Sequence, residues 1–380
     1  MLSRIRLQST AVYLFVFSIN FETIKIFEID FLITKVTFLY LFFTCLITEL
    51  KLFNLKPTLN IFFPLIVYFI LLTAIGYNNI NVYSDNYFDL AFLLNLISFL
   101  LLVNIFKKDP LLADKSMIIY TYSTVFICLL ALLDIGTTVS FERLTMFGMN
   151  SNYLGFSCAI GILVLVNKLN GLNFLVKAIY LFFIVCLFST LILTASRTGL
   201  FFLIAGFGAF LFFSKLSLQN KIISRLLSIV FILPILLIAI NDTLLYSRSL
   251  NTLNFADLSA RDFIWLKTFE IISSSPIIGV GKTGYAANIL EFFDLVLSTH
   301  NVFIEVLVYT GIVGFIFFMT FFFRISKIVF KKNISTNSII FFIGLFVLMM
   351  SSQIFEPKLP WILFSYIVSD GILSNKKSYN

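Results

Sequence analysis

The chain has 380 residues, of which 60% are hydrophobic and 12% are charged, and its formal net charge is +8. A water-soluble fold of this composition would have too little polar surface to cover its core, so the composition excludes a soluble globular protein. The basic residues are spread over many short loops instead of one domain, which argues against a nucleic-acid-binding protein.

Long apolar segments make up most of the chain. A membrane-crossing helix needs about 20 mostly apolar residues, because the bilayer core is roughly 30 Å thick and a helix rises ~1.5 Å per residue. The sequence contains eleven or twelve such segments, since the first, eighth and last are short or interrupted by charge. They span residues 10–27, 31–48, 59–75, 88–106, 117–133, 153–166, 174–194, 200–213, 226–240, 302–323, 336–354 and 361–373. We therefore predict an all-α, polytopic membrane helical bundle.

The segment 241–301 is too long for a turn and too apolar for a disordered loop. Residues 259–262 have the pattern of a helix capping box, and the residues after them predict an amphipathic helix that lies along the membrane surface. The predicted apolar face consists of Ile264, Trp265, Thr268, Phe269 and Ile272. The expected organisation is membrane helices in 1–240, a helical cap in 241–301, and further membrane helices with a polar tail in 302–380.

The distribution of lysine and arginine predicts the orientation, because basic residues of short loops stay on the cytoplasmic side. Of the 27 basic residues, 18 fall in one set of alternate loops and eight in the other, so both termini are predicted to be cytoplasmic. Half of all the arginines lie on the opposite, outer face: Arg143, Arg197, Arg248 and Arg261. A guanidinium group suits phosphate oxygens, so we infer an anionic ligand there, the alternative being pairs with carboxylates or lipid headgroups.

No cleavable signal sequence is evident, because the first apolar segment is not followed by the small-x-small pattern of a cleavage site. We expect this segment to be retained. The four cysteines all lie inside apolar segments without paired or metal-ligand spacing, so we interpret them as packing residues. They are Cys45, Cys128, Cys158 and Cys186.

His300 is the only histidine and stands at the outer start of the tenth apolar segment. It is a candidate general base for a hydroxyl group; the alternative is an interfacial histidine that merely precedes a helix. Glu305 would lie about 140° around the helix from His300 and about 40° from Asn301. We therefore expect Glu305 to orient Asn301 and to face the helix bundle.

Two other groups carry polar side chains on the predicted outer face. Arg197 lies between two apolar segments with almost no loop, so it must face the protein interior or an aqueous cavity, unless it reaches the headgroups. Arg143 precedes Asn150 and Asn152, whose side-chain amides suit sugar hydroxyls, although asparagines at helix starts are also simple caps.

Two motifs are weaker. Residues 279–283 have part of a nucleotide-binding P-loop pattern, but Pro276 stands where its first glycine should be and the loop is predicted to face outward. Glu28 and Asp30 form an acidic pair, and two carboxylates alone make a weak metal site. We expect neither a metal nor a cofactor.

Residues 143–314 resemble the bacterial O-antigen ligase and O-antigen polymerase superfamily of the inner membrane. The most specific part is His300-Asn301, nine residues, and then Gly311-Ile312-Val313-Gly314, which is similar to the histidine motif of that family. Arg197 in its Ser-Arg-Thr-Gly turn resembles the arginine that the family carries at an earlier helix junction.

The resemblance extends to the large outer loop. Arg261, before Trp265 and upstream of Ile278-Gly279-Val280-Gly281, resembles the arginine that the family carries there. Asn150-Ser151-Asn152 departs from the usual Asn-Pro-Asn pattern, which weakens the assignment of these two asparagines.

The resemblance implies a metal-independent glycosyltransferase with a GT-C-like fold, which uses glycans carried on undecaprenyl diphosphate at the periplasmic face. His300, Arg197 and Arg261 would then be catalytic: the arginines would stabilise the diphosphate, and the histidine would take the proton of the attacking hydroxyl. The expected substrate-binding residues are Arg143, Asn150, Asn152, Asn301 and Glu305. The implied partners are the lipid-linked oligosaccharide, membrane lipids and other polysaccharide-assembly proteins.

Three activities fit these residues. We favour an O-antigen polymerase, because polymerases are the more diverged members and the motifs here are weakened. An O-antigen ligase, which transfers the chain to lipid A core in lipopolysaccharide biosynthesis, is the alternative within the family. A lipid-linked oligosaccharide flippase is the alternative of another class; it would be expected to have charges deep in the bundle, where only Lys35 and Asp89 are candidates.

Overall fold

The computed structural model describes residues 2–23, 33–48, 56–78, 89–140, 143–169, 172–213, 261–331 and 333–377. In these ranges, four helices are long and apolar enough to cross a membrane: Thr58–Asn78, Pro110–Leu132, Phe174–Leu193 and Val302–Val329. Five shorter apolar helices accompany them. The protein is therefore a multi-pass, all-α membrane protein, and the predicted fold class is confirmed.

Eleven of the thirteen described helices follow predicted apolar segments, and the other two lie in the predicted cap 241–301. The predicted segment 226–240 lies outside the described residues. In chain order they are α1 (Leu2–Ser18), α2 (Ile33–Thr48), α3 (Lys56–Asn78), α4 (Leu90–Phe106), α5 (Pro110–Leu132), α6 (Ser151–Lys168), α7 (Phe174–Leu193), α8 (Arg197–Phe213), α9 (Arg261–Ser274), α10 (Gly281–Phe293), α11 (Val302–Val329), α12 (Thr336–Met349) and α13 (Leu359–Lys377). A short 3-10 helix, Ile19–Phe21, follows α1.

Two elements were not predicted individually from the sequence: α10, which lies in the predicted cap, and a β-hairpin. Between α5 and α6 the chain forms an antiparallel hairpin of two short strands, β1 (Thr137–Ser140) and β2 (Arg143–Met146). Thr137 pairs with Met146 and Ser140 with Arg143. The hairpin matters for the site because Arg143 is the first residue of β2.

The chain divides into two compact units, formed by residues 1–52, 105–256 and 335–347, and by residues 53–104, 257–334 and 348–380. We call them the first and second unit. The three-part organisation into 1–240, 241–301 and 302–380 concerns order along the chain and stays a prediction.

In the first unit, α6 is packed against α5, α7 and α8 and is buried along most of its length. Two glycines allow α6 and α8 to cross in backbone contact. A Cβ atom added at Gly199 would lie 2.6 Å from the Gly155 carbonyl oxygen, and one added at Gly155 would lie 2.4 Å from Ser196 Cβ. Small residues permit such close approach between membrane helices. The crossing brings the first turn of α8 against α6.

In the second unit, α11 is broken at Gly311, whose backbone has φ 59° and ψ −163°. The loop between α9 and α10 supplies hydrogen bonds at the break: Val280 N donates to Val308 O over 2.9 Å, and Ile312 N donates to Pro276 O over 3.0 Å. A Cβ atom at Gly279, which has φ +72°, would lie 2.6 Å from Gly311 N. The two glycine motifs noted in the sequence therefore contact each other and complete a discontinuous helix.

Candidate active site

The predicted residues of the first unit lie around the turn between α7 and α8. Arg143 Nε donates to the Thr194 carbonyl oxygen over 3.0 Å, and its Nη2 donates to Asn152 Oδ1 over 2.7 Å. Asn152 N in turn donates to Asn150 Oδ1 over 2.8 Å. The Arg143 guanidinium thus joins the start of α6 to the end of α7.

Arg197 is the first residue of α8 and is half-buried. The turn before it is tight: Ala195 has φ 48°, in the left-handed region that favours glycine. Ser196 Oγ accepts a hydrogen bond from Gly199 N over 3.1 Å and donates to the Asn152 carbonyl oxygen over 3.4 Å. Arg197 therefore lies in the first turn of α8, where backbone N–H groups and the helix dipole also favour an anion.

Asn150 caps α6, as its side chain accepts a hydrogen bond from the backbone of that helix. Asn152 Oδ1 is engaged by Arg143. Contacts of these two side chains with a sugar stay a prediction.

The predicted residues of the second unit lie where α9 meets the loop before α11. Trp265 Nε1 donates to the Thr299 carbonyl oxygen over 2.7 Å, one turn of α9 after Arg261. His300 is half-buried and its backbone is left-handed, with φ 51°. Asn301 caps α11, since its Oδ1 accepts from Phe303 N and Ile304 N over 3.0 and 3.2 Å.

The environment of His300 keeps its imidazole neutral. Burial, and after it the positive charge of Arg261, lower the pKa of His300 to about 4. At neutral pH a ring nitrogen can therefore accept a proton, while the nearby guanidinium can bind an anion.

Glu305 is 4% exposed, and its Oε2 has no hydrogen-bond partner among the described residues. The Asn301 side-chain oxygen bonds to the backbone of its own helix, and the expected role of Glu305 in orienting Asn301 stays a prediction. Glu305 does face the protein interior, as expected. An unpartnered buried carboxyl costs free energy and marks a candidate ligand-binding group.

The loop with the P-loop pattern has a different role. Lys282 Nζ lies 3.1 Å from Asp89 Oδ2 and 2.7 Å from Glu356 Oε1. Burial alone would lower the pKa of Lys282, but the two carboxylates more than offset it and raise that pKa. Lys282 is therefore held in ion pairs with Asp89 and Glu356.

The acidic pair Glu28 and Asp30, as well as Arg248 and Ser259 of the capping pattern, lie outside the described residues. Within the described ranges, no group of three or more His, Cys, Asp or Glu side chains is placed to hold a metal ion.

Sequence reasoning missed, in each unit, a side chain that holds a loop or turn beside the candidate residues. Trp265 was predicted only as part of an apolar helix face, and Arg143 only as a substrate contact. An indole or a guanidinium group near a polar loop indicates a possible hydrogen-bond donor. Here Trp265 and Arg143 each donate to a backbone carbonyl oxygen, and no sequence pattern reveals which carbonyl group that is.

Residues 182–319 match a protein family described as O-antigen ligase. The matched range includes Arg197, Arg261, His300, Asn301 and Glu305, and it leaves out Arg143, Asn150 and Asn152. No curated protein matches the chain.

Proposed function

We propose that the protein is a polymerase of the O-antigen ligase and O-antigen polymerase superfamily, and the match of residues 182–319 to the family described as O-antigen ligase supports this proposal. It transfers glycan repeat units from undecaprenyl diphosphate to a sugar hydroxyl of another lipid-linked repeat unit. The reaction takes place at the periplasmic face of the bacterial inner membrane. Members of this family are membrane glycosyltransferase-like enzymes that act on lipid-linked polysaccharides.

The observation that carries the proposal is the packing of α9, which carries Arg261, against the loop that carries His300, through the 2.7 Å hydrogen bond from Trp265 Nε1 to the Thr299 carbonyl oxygen. Glycosyl transfer from a lipid diphosphate breaks the bond between the anomeric carbon and a phosphate oxygen, and it forms a bond from that carbon to the acceptor oxygen. Arg261 stabilises the charge that develops on the leaving diphosphate, and His300 takes the proton from the acceptor hydroxyl. The bound diphosphate offsets the charge of Arg261, so binding raises the pKa of His300 and makes it a stronger base.

The residues of the first unit support the same chemistry. Arg197 has the residue type and the helix N-terminus that suit a phosphate group. Arg143 acts on that turn through its bonds to Thr194 and Asn152. We propose Arg197 as a second donor to the diphosphate, with no metal ion required, and Arg143, Asn150, Asn152, Asn301 and Glu305 as the residues that contact the glycan.

The assignment as a polymerase rests on the weakened motifs, such as Asn150-Ser151-Asn152 in place of Asn-Pro-Asn. A ligase would use the same leaving group and the same kind of nucleophile. For a flippase, the two candidate interior charges are unsuitable among the described residues, because Asp89 is paired with Lys282 and Lys35 is exposed.

The test gives the purified protein undecaprenyl diphosphate repeat units alone, without core lipid. A polymerase produces a ladder of longer lipid-linked glycans and releases undecaprenyl diphosphate at each addition. His300→Gln is the matched control: glutamine can form hydrogen bonds but cannot take up a proton, so the ladder should form roughly 10²- to 10⁴-fold more slowly.

Products that appear only after lipid A core is added would identify a ligase. Movement of the lipid-linked glycan between leaflets of sealed vesicles, without any transfer, would identify a transporter and contradict the catalytic roles of His300 and Arg261.

A further inference from the structure

The loop that carries His300 is held by side chains from two neighbouring helices. It runs from the end of α10 at Phe293 to the start of α11 at Val302. Trp265 Nε1 of α9 donates to the Thr299 carbonyl oxygen over 2.7 Å, and Tyr285 Oη of α10 donates to the Leu297 carbonyl oxygen over 3.0 Å. The first of these bonds reaches the residue directly before His300.

The backbone of His300 needs such support. Its φ of 51° lies in the left-handed region, which costs free energy for a residue with a Cβ atom and persists only where the surroundings hold it. His300 N donates to Ser298 Oγ over 3.1 Å, and Thr299 Oγ1 donates to the Asn301 carbonyl oxygen over 3.0 Å. These bonds shape the loop internally, whereas Trp265 fastens it to another helix.

The position of Trp265 on α9 links this contact to Arg261. Residues four apart lie on the same face of a helix, so Trp265 and Arg261 are neighbours on α9. The helix packs into the second unit through three buried side chains, those of Ile264, Thr268 and Ile271. One rigid helix thus carries both the cation and the side chain that holds the His300 loop.

We propose that Trp265 is a positioning residue whose indole N–H fixes the Thr299 carbonyl group and thereby keeps the His300 ring beside Arg261. The effect of this contact on catalysis rests on the proposed function. The contact itself, between Trp265 and the loop that carries His300, does not. Arg261 is the charged group that acts on His300 among the described residues. Loss of the hydrogen bond should let the loop relax, so that His300 becomes more exposed and moves away from the guanidinium.

The test uses the fact that the chain has a single histidine and two tryptophans. Trp265→Phe removes the N–H group and keeps an aromatic ring. Trp361→Phe is the matched control, because Trp361 Nε1 donates to the Ile354 carbonyl oxygen over 3.0 Å in the same unit. Trp265→Tyr is the second variant should Trp265→Phe not accumulate, since tyrosine fills more of the indole volume but places its hydroxyl elsewhere.

The first measurement is an NMR titration of the His300 imidazole in the full-length protein, purified through a histidine-free tag. The wild type should titrate near pH 4. Trp265→Phe should move the midpoint upward by about one pH unit or more, toward the ordinary value of about 6.5. Trp361→Phe should leave the midpoint where it is.

The second measurement is the steady-state rate of transfer. Trp265→Phe should lower kcat by roughly 10-fold or more with a smaller change in KM, because a misplaced base slows the chemical step more than it weakens binding. An unchanged midpoint in Trp265→Phe, or an equal shift in Trp361→Phe, would overturn the positioning role. A shift specific to Trp265 in a protein without transferase activity would support that role and contradict the proposed function instead.

Discussion

At the residue scale, the proposed chemistry depends on the protonation state of His300 before and after the donor binds. Because burial and Arg261 place its pKa near 4, below the ordinary value of about 6.5, the imidazole is already neutral at pH 7. It is then available as a proton acceptor but only a weak base. A dianionic ligand beside Arg261 offsets the charge of the arginine, which raises the pKa of His300 and makes the imidazole a stronger base.

This balance predicts two different pH profiles for the wild-type enzyme. The free enzyme governs kcat/KM, which should be level from about pH 8 to pH 5 and should fall only as pH approaches about 4, where His300 becomes protonated. The enzyme–substrate complex governs kcat, and its acid limb should lie at higher pH because the bound diphosphate raises the pKa of His300. Identical acid limbs would show that the diphosphate does not bind close to His300.

Arginine geometry provides a second prediction at this scale. Arg261→Lys and Arg197→Lys keep the charge but lose the forked pair of donors, so each should lower the rate of transfer by roughly 10²-fold or more without removing the protein from the membrane. Lys267→Arg is the control on the same helix, since Lys267 pairs with Glu270. Near-normal glycan assembly in both arginine variants would identify them as headgroup anchors.

Glu305 is buried with an unpartnered Oε2, which should destabilise the protein unless a ligand uses it. Glu305→Gln keeps the shape and removes the acid, so its thermal stability in detergent should equal or exceed that of the wild type while glycan transfer falls. The exposed Glu291→Gln should change neither property. A Glu305→Gln variant with full activity would remove Glu305 from the site.

At the element scale, hydropathy predicted the helices because a membrane helix must be apolar over its whole length. The ends were less well predicted. The helix predicted at 302–323 extends to Val329, and the one predicted at 117–133 begins at Pro110, with the side chain of Asp109 as its cap. Polar terminal turns continue these helices beyond the apolar core, and hydropathy does not detect them.

The break in α11 could not be predicted in this way. Its sequence is continuously apolar around Gly311, and the break depends on the backbone of residues 276–280, which lie far away in the chain. The β1–β2 hairpin was missed for a related reason, because four-residue strands leave too short a pattern to recognise.

The crossing of α6 and α8 provides the prediction at this scale. Gly199→Ala places a methyl group 2.6 Å from the Gly155 carbonyl oxygen, so it should destabilise the protein by about 1–3 kcal/mol and displace Arg197. Gly208→Ala is the matched control on the same helix, because a Cβ atom there meets nothing within 4 Å. In detergent, Gly199→Ala should melt at a lower temperature than Gly208→Ala. Equal melting temperatures would contradict the close crossing.

At the scale of the whole molecule, the candidate site residues that were chosen from the sequence are divided between the two units of the structure. Arg143, Asn152 and Arg197 belong to the first unit, whereas Arg261 and His300 belong to the second. This grouping follows from contacts between segments that are distant in the chain. Residue type and spacing carry no information about those contacts.

Orientation in the membrane is the remaining property of the whole molecule, and cysteine labelling can test it. The background must lack Cys45, Cys128, Cys158 and Cys186, all of which are buried. Cys128 Sγ lies 3.6 Å from Cys158 Sγ, closer than the sequence suggested, so these two should be replaced together.

Single cysteines in the predicted periplasmic cap should then react with an impermeant reagent in intact spheroplasts. The chosen positions are Thr252 and Asn254, outside the described residues, and Asp294, which is exposed after α10. Lys108→Cys, also exposed, is the matched position in a predicted cytoplasmic loop and should react only after the inner membrane is opened. This outcome is expected because 18 of the 27 basic residues fall in the loops that include Lys108. The reverse pattern would place Arg261 and His300 in the cytoplasm, away from the periplasmic donor, and would contradict the orientation and the proposed reaction together.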